Sequence, residues 1–216
     1  DMTYDEIKTK VAEYLNRTDL TSQMDMFIDL TESDINKVIK HQDLIKRANA
    51  VAETQYTQLP SDWSRVINVE LNTSDHTTLL QQSTESLDLK RTSIDNVSGR
   101  PEYFAITDNA IELCPTPDTN YELQLTYYAN IPELSSTNTT NVVSDKFPDV
   151  YIYGCCKHAS VFLMEDERVG MFQTLFDKAL EEVRLQQERA SFGVGSLIPR
   201  RKKYGKAKKQ TYYFKN

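Results

Sequence analysis

The chain has 216 residues, 39% of them hydrophobic and 26% charged, with a formal net charge of −7; that suits one ordinary globular domain, or one domain with an elaboration, able to bury about 70% of its unfolded surface. No stretch reaches the roughly 18 apolar residues that cross a bilayer, and the opening Asp1-Met2-Thr3-Tyr4-Asp5-Glu6 lacks the basic end and apolar run of a secretory leader, so a cytoplasmic product with no membrane partner is expected. Cys114 stands alone and Cys155-Cys156 are adjacent, a spacing that offers neither a disulfide framework nor a metal site.

Thr3 and Glu6 have the form of a capping box, in which each side chain satisfies the other's backbone amide. Ile7, Val11, Tyr14 and Leu15 follow at helical spacing and predict a helix over 4–16, ended by Asn16-Arg17-Thr18-Asp19. A second helix is expected after Thr21 as N-cap. Met24, Phe27, Ile28, Ile35, Val38, Ile39 and Leu44 give it one apolar face, interrupted around Thr31, and it extends to about 48 or breaks midway.

Residues 49–143 are rich in Thr, Ser, Asn and Pro. Val66–Leu71 and Thr77–Leu80 read as strands and Ser83–Arg91 as a short helix. Tyr103–Ile106 and Ile111–Cys114 flank Asp108-Asn109, a hairpin signal. After a turn at Pro115–Asn120, the segment Tyr121–Tyr127 alternates, placing Tyr121, Leu123, Leu125 and Tyr127 on one face. Ser135–Val143 is a polar loop.

Asp145 and Pro148 open a third helix carrying Val150, Tyr151, Gly154, Cys155, Ala159, Phe162 and Leu163. Its small residues, Gly154, Cys155 and Ala159, leave room for a close neighbour. Glu165–Gly170 links it to a fourth helix, about 171–190, that turns Met171, Phe172, Leu175, Phe176, Ala179, Leu180 and Val183 inward. The expectation is an α+β fold: a four-helix bundle with an inserted small antiparallel β element and an extended C-terminal arm. Residues 1–190 form the body, with helices at about 4–48 and 147–190 and the β insertion at about 49–143; 191–216 form a flexible joint, Ser191-Phe192-Gly193-Val194-Gly195-Ser196, and the arm.

No motif of known chemistry stands out. Cys155 and His158, three apart on one helix, could pair as nucleophile and base or as half a metal site; the blander reading is a buried small residue beside a solvated histidine, and it is preferred because no further ligand stands at zinc spacing. His41 is placed on the polar side of the second helix and His76 in a turn or at a strand edge. Glu165-Asp166-Glu167 and Glu181-Glu182 read as solvated helix surface. Gly-rich phosphate loops, Gly-x-Ser-x-Gly and His-Glu-x-x-His are absent, so no catalytic, cofactor-binding or metal-binding residues are assigned, no cofactor is expected and the chain is read as no enzyme.

The unusual constellation is C-terminal. Eight of the 25 basic residues lie in 199–216, a stretch without an acidic residue; the other 198 residues hold 17 basic and 32 acidic groups, a formal charge of −15. Arg200, Arg201, Lys202, Lys203, Tyr204, Lys206, Lys208, Lys209, Tyr212, Tyr213 and Phe214 alternate cations with aromatics and are the candidate partner-binding residues. They could neutralise phosphates and stack on bases, dock on an acidic protein surface, or serve only as a solubilising tail. Protein docking is preferred: three adjacent aromatics gain nothing in water, and Thr211-Tyr212-Tyr213-Phe214 suits main-chain pairing to an exposed sheet edge.

Three stretches together resemble the head-to-tail adaptor, or connector, proteins of the neck of tailed bacteriophages. The first runs from Met2-Thr3-Tyr4-Asp5-Glu6-Ile7 to Glu13-Tyr14-Leu15-Asn16-Arg17-Thr18-Asp19-Leu20. The second begins at Leu59-Pro60-Ser61-Asp62-Trp63 and continues through Gly99-Arg100-Pro101-Glu102-Tyr103-Phe104-Ala105-Ile106, Leu113-Cys114-Pro115-Thr116-Pro117 and Leu125-Thr126-Tyr127-Tyr128 to Ile131-Pro132-Glu133-Leu134-Ser135. The third is Phe147-Pro148-Asp149-Val150-Tyr151-Ile152-Tyr153-Gly154. The resemblance spans about 1–185, and the arm corresponds by position.

It implies a ring below the portal protein, typically of twelve copies, with C-terminal arms laid on the portal, the other face offered to a tail or nozzle component, and a lumen that passes the genome. It places the protein in the virion neck, and in the host cytoplasm during assembly. An acidic body would let DNA slide without sticking. The alternative is a nucleic-acid-binding module that uses the same basic arm.

Overall fold

The computed structural model describes residues 2–73 and 75–191. Helix α1 (Tyr4–Leu15) opens with the expected capping box and buries Tyr4, Ile7, Val11 and Leu15; Asn16 closes it in the left-handed region at φ 53°. Helix α2 (Met24–Val38) begins at Gln23 without a side-chain cap, so Thr21 is not its N-cap. Thr31 does not interrupt its buried face: the hydroxyl donates to the Phe27 carbonyl at 2.7 Å, which satisfies it inside the core.

The helix stops at Val38, and Ile39 is extended. His41 is therefore off the helix and buried, its Nδ1 accepting from the Asp43 amide at 3.2 Å to cap a single 3-10 turn, Gln42–Leu44.

The strands overturn the expected four-helix bundle with a small antiparallel insertion. The chain has six helices and eight strands among the described residues, and the strands form two four-stranded sheets. Strand β1 (Ile45–Ala52) occupies part of the sequence expected as helix. The others are β2 (Tyr56–Gln58), β3 (Trp63–Leu71), β4 (Thr77–Thr78), β5 (Leu80–Gln81), β6 (Tyr103–Thr107), β7 (Ala110–Cys114) and β8 (Tyr121–Ala129). Sheet one has the order β1-β8-β3-β4 and sheet two β2-β7-β6-β5; β5 runs parallel to β6, so the β region is not wholly antiparallel.

The expectation failed for physical reasons. Three of the strands have only two or three residues, too few to show a period of two. β1 carries alanine at each inward position, and alanine marks neither a strand nor a stripe.

Central β8 pairs with β1 over eight uninterrupted residues, Ile45 opposite Tyr128 through Ala52 opposite Tyr121, and with β3 on its other side. Leu123, Leu125, Tyr127 and Ala129 point inward, as the alternation predicts for the first three. They meet Val66, Val69 and Leu71 from β3 and Phe104, Ile111 and Leu113 from sheet two, so the sheets share one apolar core. The β6–β7 hairpin turns at Asp108-Asn109, with Asp108 at φ 54°. Helix α3 (Thr84–Ser93), capped by Ser83, lays Leu87 on the outer side of sheet two against Ala105 and Cys114.

A second core is helical. Short α4 (Val142–Lys146) is capped by Asn141 and runs into α5 (Pro148–Phe162), and α6 (Asp166–Ser191) returns along it. α5 lies between α1, α2 and α6. A Cβ added at Gly154 would lie 2.4 Å from Thr31 Cγ2 and 2.9 Å from Phe176 Cε2, so glycine sets how closely α5 approaches α2 and α6.

Candidate functional site

The expected partner-binding residues Arg200, Arg201, Lys202, Lys203, Tyr204, Lys206, Lys208, Lys209, Tyr212, Tyr213 and Phe214 all lie outside the described residues, as does most of the expected joint. The helix that precedes the arm is described: toward its end α6, at Arg184, lines a groove with Val38, Lys40, Ile45, Arg65 and Tyr128.

Cys155 and His158 do not form a catalytic pair. Cys155 is buried, its sulfur lies 3.5 Å from the Thr31 hydroxyl oxygen, and burial pushes its thiol up to about 12. His158 is not a freely solvated ring: its Nε2 lies 3.0 Å from Asp34 Oδ2 and its side chain is 19% exposed. Burial, then the Lys157 charge, lowers the imidazole's pKa. Asp34 is the hub of this cluster, also receiving Lys157 Nζ at 2.7 Å and Lys37 Nζ at 2.9 Å. Burial alone would raise its carboxyl, but the Lys157 and Lys37 hydrogen bonds outweigh it and hold the group at about 2. The cluster fastens α2 to α5. Among the described residues no group of three or more His, Cys, Asp or Glu is arranged to hold a metal ion, and no helix is long and apolar enough to cross a membrane.

Two further polar clusters are structural joints that sequence reasoning missed. Glu32, 3% exposed, accepts at Oε1 from the Tyr151 hydroxyl and the Leu134 amide, both at 2.9 Å. Asn141 Nδ2 donates to the Tyr151 hydroxyl at 2.7 Å and to the Pro132 carbonyl at 2.8 Å. This network pins the connection 130–144 to α2 and α5. Burial pushes Glu32 up to about 7, with Asp29 and Glu133 adding to the shift and its two hydrogen bonds opposing it. One signal was available: Glu32 stands four residues after Ile28 and three before Ile35, on the helix's apolar stripe. In the sheets, Arg91 of α3 donates to Glu112 Oε1 at 2.8 Å, and Gln55 Nε2 donates to the same oxygen at 2.9 Å.

Among the described residues the surface carries open depressions and exposed apolar groups. One depression of about 670 Å³ is bordered by Asp29, Glu32, Glu133, Asn36 and Trp63. A smaller apolar cleft of about 240 Å³ opens beside β1, between the two sheets. Val161, Phe162 and Met164 project from the α5–α6 junction at 57%, 49% and 88% exposure. Exposed apolar groups that cluster into a contiguous patch mark candidate contact sites.

Comparison with known proteins is consistent with contact surfaces. No curated protein matches the chain. A protein-family model described as SU10 adaptor protein matches residues 2–200, nearly the whole chain.

Proposed function

The chain belongs to the SU10 adaptor protein family, a family of phage head-tail adaptors, and on that premise we propose that it forms a ring in the neck of the virion, between the portal protein and the next tail or nozzle component. The family match over residues 2–200 carries this reading. The division of charge supports it. With the basic arm set aside, the body has a formal charge of −15. A lumen lined by such a body repels the phosphate backbone, so the genome passes during packaging and ejection without adhering.

The arm, with Arg200, Arg201, Lys202 and Lys203 leading, fastens each copy to its neighbours in the neck, the portal protein first among them. Twelve copies, engaged together, offset through avidity the entropy each arm loses on docking. Ring closure requires heterologous contacts, one surface of a copy meeting a different surface of the next. The protein does its work by contact and by field, with no bond made or broken.

The test is deletion of residues 199–216. Attachment to the phage's own portal protein, followed by co-sedimentation and electron microscopy, is lost while circular dichroism of the body is unchanged; undiminished attachment removes the arm from the mechanism. The arm's composition also supports a second reading, a nucleic-acid-binding module. Duplex affinity that falls steeply with salt in the intact chain, and whose salt slope disappears with the arm, would favour that reading.

A further inference from the structure

Strand β1 is an unprotected sheet edge of uncommon length. It pairs with β8 on one side over eight residues without a bulge; no described strand is hydrogen-bonded to its other side, although β2 of the second sheet lies nearby. Half of its backbone N–H and C=O groups therefore face outward. Natural edges are blunted by charge, proline, bulges or shortness. Here Lys46 and Arg47 guard only the start of the strand; Ala48-Asn49-Ala50-Val51-Ala52 carries no charge and no proline.

The inward side of this edge is undersized. Ala48 stands opposite Leu125 and Ala50 opposite Leu123. With Leu59 and Ile111, these residues border the apolar cleft of about 240 Å³. An apolar cavity of about 150 Å³ suffices for a benzene ring. The cleft thus has room for an aromatic side chain delivered by a strand laid along β1.

The far end of the edge is acidic. Glu53 follows Ala52, Glu122 stands opposite Val51, and Asp118 lies in the turn before β8. All three are exposed, and no described lysine or arginine pairs with them.

We infer that β1 of one copy receives, as an added antiparallel strand, the segment Thr211–Phe214 from the arm of a second copy. Placing Thr211 opposite Val51 sets Tyr212 opposite Ala50 and Phe214 opposite Ala48, with both rings on the cleft side of the sheet, where one fills the cleft and the other covers its mouth. The same register brings Lys209 beside Glu53 and Lys208 one step beyond, so the basic run ends where the edge is acidic. Residues 192–210 lie between α6 and this strand; extended, they reach about 60 Å, enough to cross onto an adjoining molecule. The inference rests on the ring reading above. It gives that ring its two unlike surfaces, a strand offered and an edge exposed, and leaves Arg200–Lys206 to the portal.

The experiment uses the full chain in two preparations, one with Val51→Cys and one with Thr211→Cys, mixed with and without the phage's portal protein and oxidised. The three native thiols are buried and stay silent. A disulfide-linked dimer joining the two variants is expected, in either mixture. It should be lost when Tyr212→Ala and Phe214→Ala are added to the second preparation, a change confined to the arm. It should also be absent when Val161→Cys, exposed on α5, replaces Val51→Cys.

No linked dimer in either mixture overturns the inference. So does a dimer indifferent to the loss of both rings. Electron micrographs of the unmodified chain with its portal separate the two levels: rings without the link remove the strand pairing alone, whereas no rings remove the reading on which it rests.

Discussion

The hydroxyl of Tyr151, in the middle of α5, donates to Glu32 Oε1 of α2 at 2.9 Å, and the carboxylate's other oxygen is buried without a partner. This bond joins the two helices and also holds the connection leading back from the sheets. Burial of the Glu32 carboxyl, against the pull of this bond, makes stability depend on pH in an unusual sense. The folded state lifts Glu32 from 4.5 to about 7, so the fold prefers the protonated form. Its contribution is complete below the unfolded value and is lost as pH rises through the folded one. We expect midpoint stability in urea to fall between pH 5 and pH 8 by up to about 3 kcal/mol, and Glu32→Gln to flatten that slope. An unchanged slope in the variant would place the sensitivity elsewhere.

Asp34 works in the opposite direction. Its carboxyl is held at about 2, so the links to Lys157, Lys37 and His158 persist until pH falls below the usual carboxylate range. Asp34→Asn leaves Lys157, 10% exposed, facing a neutral amide. A loss of about 2 kcal/mol at pH 6 is expected, shrinking as the wild-type carboxylate is titrated near pH 2; equal losses at both ends of the range would contradict an electrostatic origin.

Gly154→Ala tests how tightly the helices are fitted. The added methyl meets Thr31 Cγ2 at 2.4 Å and Phe176 Cε2 at 2.9 Å. Overpacking should cost about 1–3 kcal/mol in spite of alanine's better helix propensity. Thr31→Ala removes the obstructing methyl, so the double variant should recover part of the loss, and a thermodynamic cycle on the four proteins would show the coupling.

Arg91→Ala should cost about 3 kcal/mol, because it leaves Glu112, whose side chain is 7% exposed, without its charge partner between α3 and sheet two, held only by the neutral donors Gln55 and Thr107. Replacing both partners with apolar residues should cost less than replacing Arg91 alone. The measurement is thermal unfolding followed by near-ultraviolet circular dichroism, which reads the tyrosines around this joint.

Thiol reagents offer a simpler check. Cys114, Cys155 and Cys156 are buried, and the last two are pushed up to about 12 by burial. None should react with a maleimide in the native protein at neutral pH, and all three should react in denaturant. Rapid native labelling of Cys155 would reopen the question of a reactive cysteine.

How much of the fold could be read from the sequence depends on the range of the interactions involved. The capping box at Thr3, the hairpin across Asp108-Asn109, the alternation in β8 and most of the stripes of α5 and α6 are local patterns found in the fold, although Phe162 and Met171, expected on those stripes, are about half exposed. The sheets were underestimated because their pairings are distant. Ala48 becomes part of a strand only because Leu125 lies opposite it, 77 positions along the chain. His41 was misplaced because the helix stops at Val38 with no glycine or proline to announce it. The arm stands out through composition alone, while the β1 edge that could hold its tip is a run of small residues with no signature of its own.

β1 begins where β8 ends: Ile45 stands opposite Tyr128, so the long excursion through both sheets leaves and rejoins the helical layer at adjacent points. Such a seam needs only a short splice to close. A lineage could exchange everything between those positions, as a craftsman changes the head of a tool and keeps the handle, and so meet a differently shaped companion without redesigning the helices that carry the load.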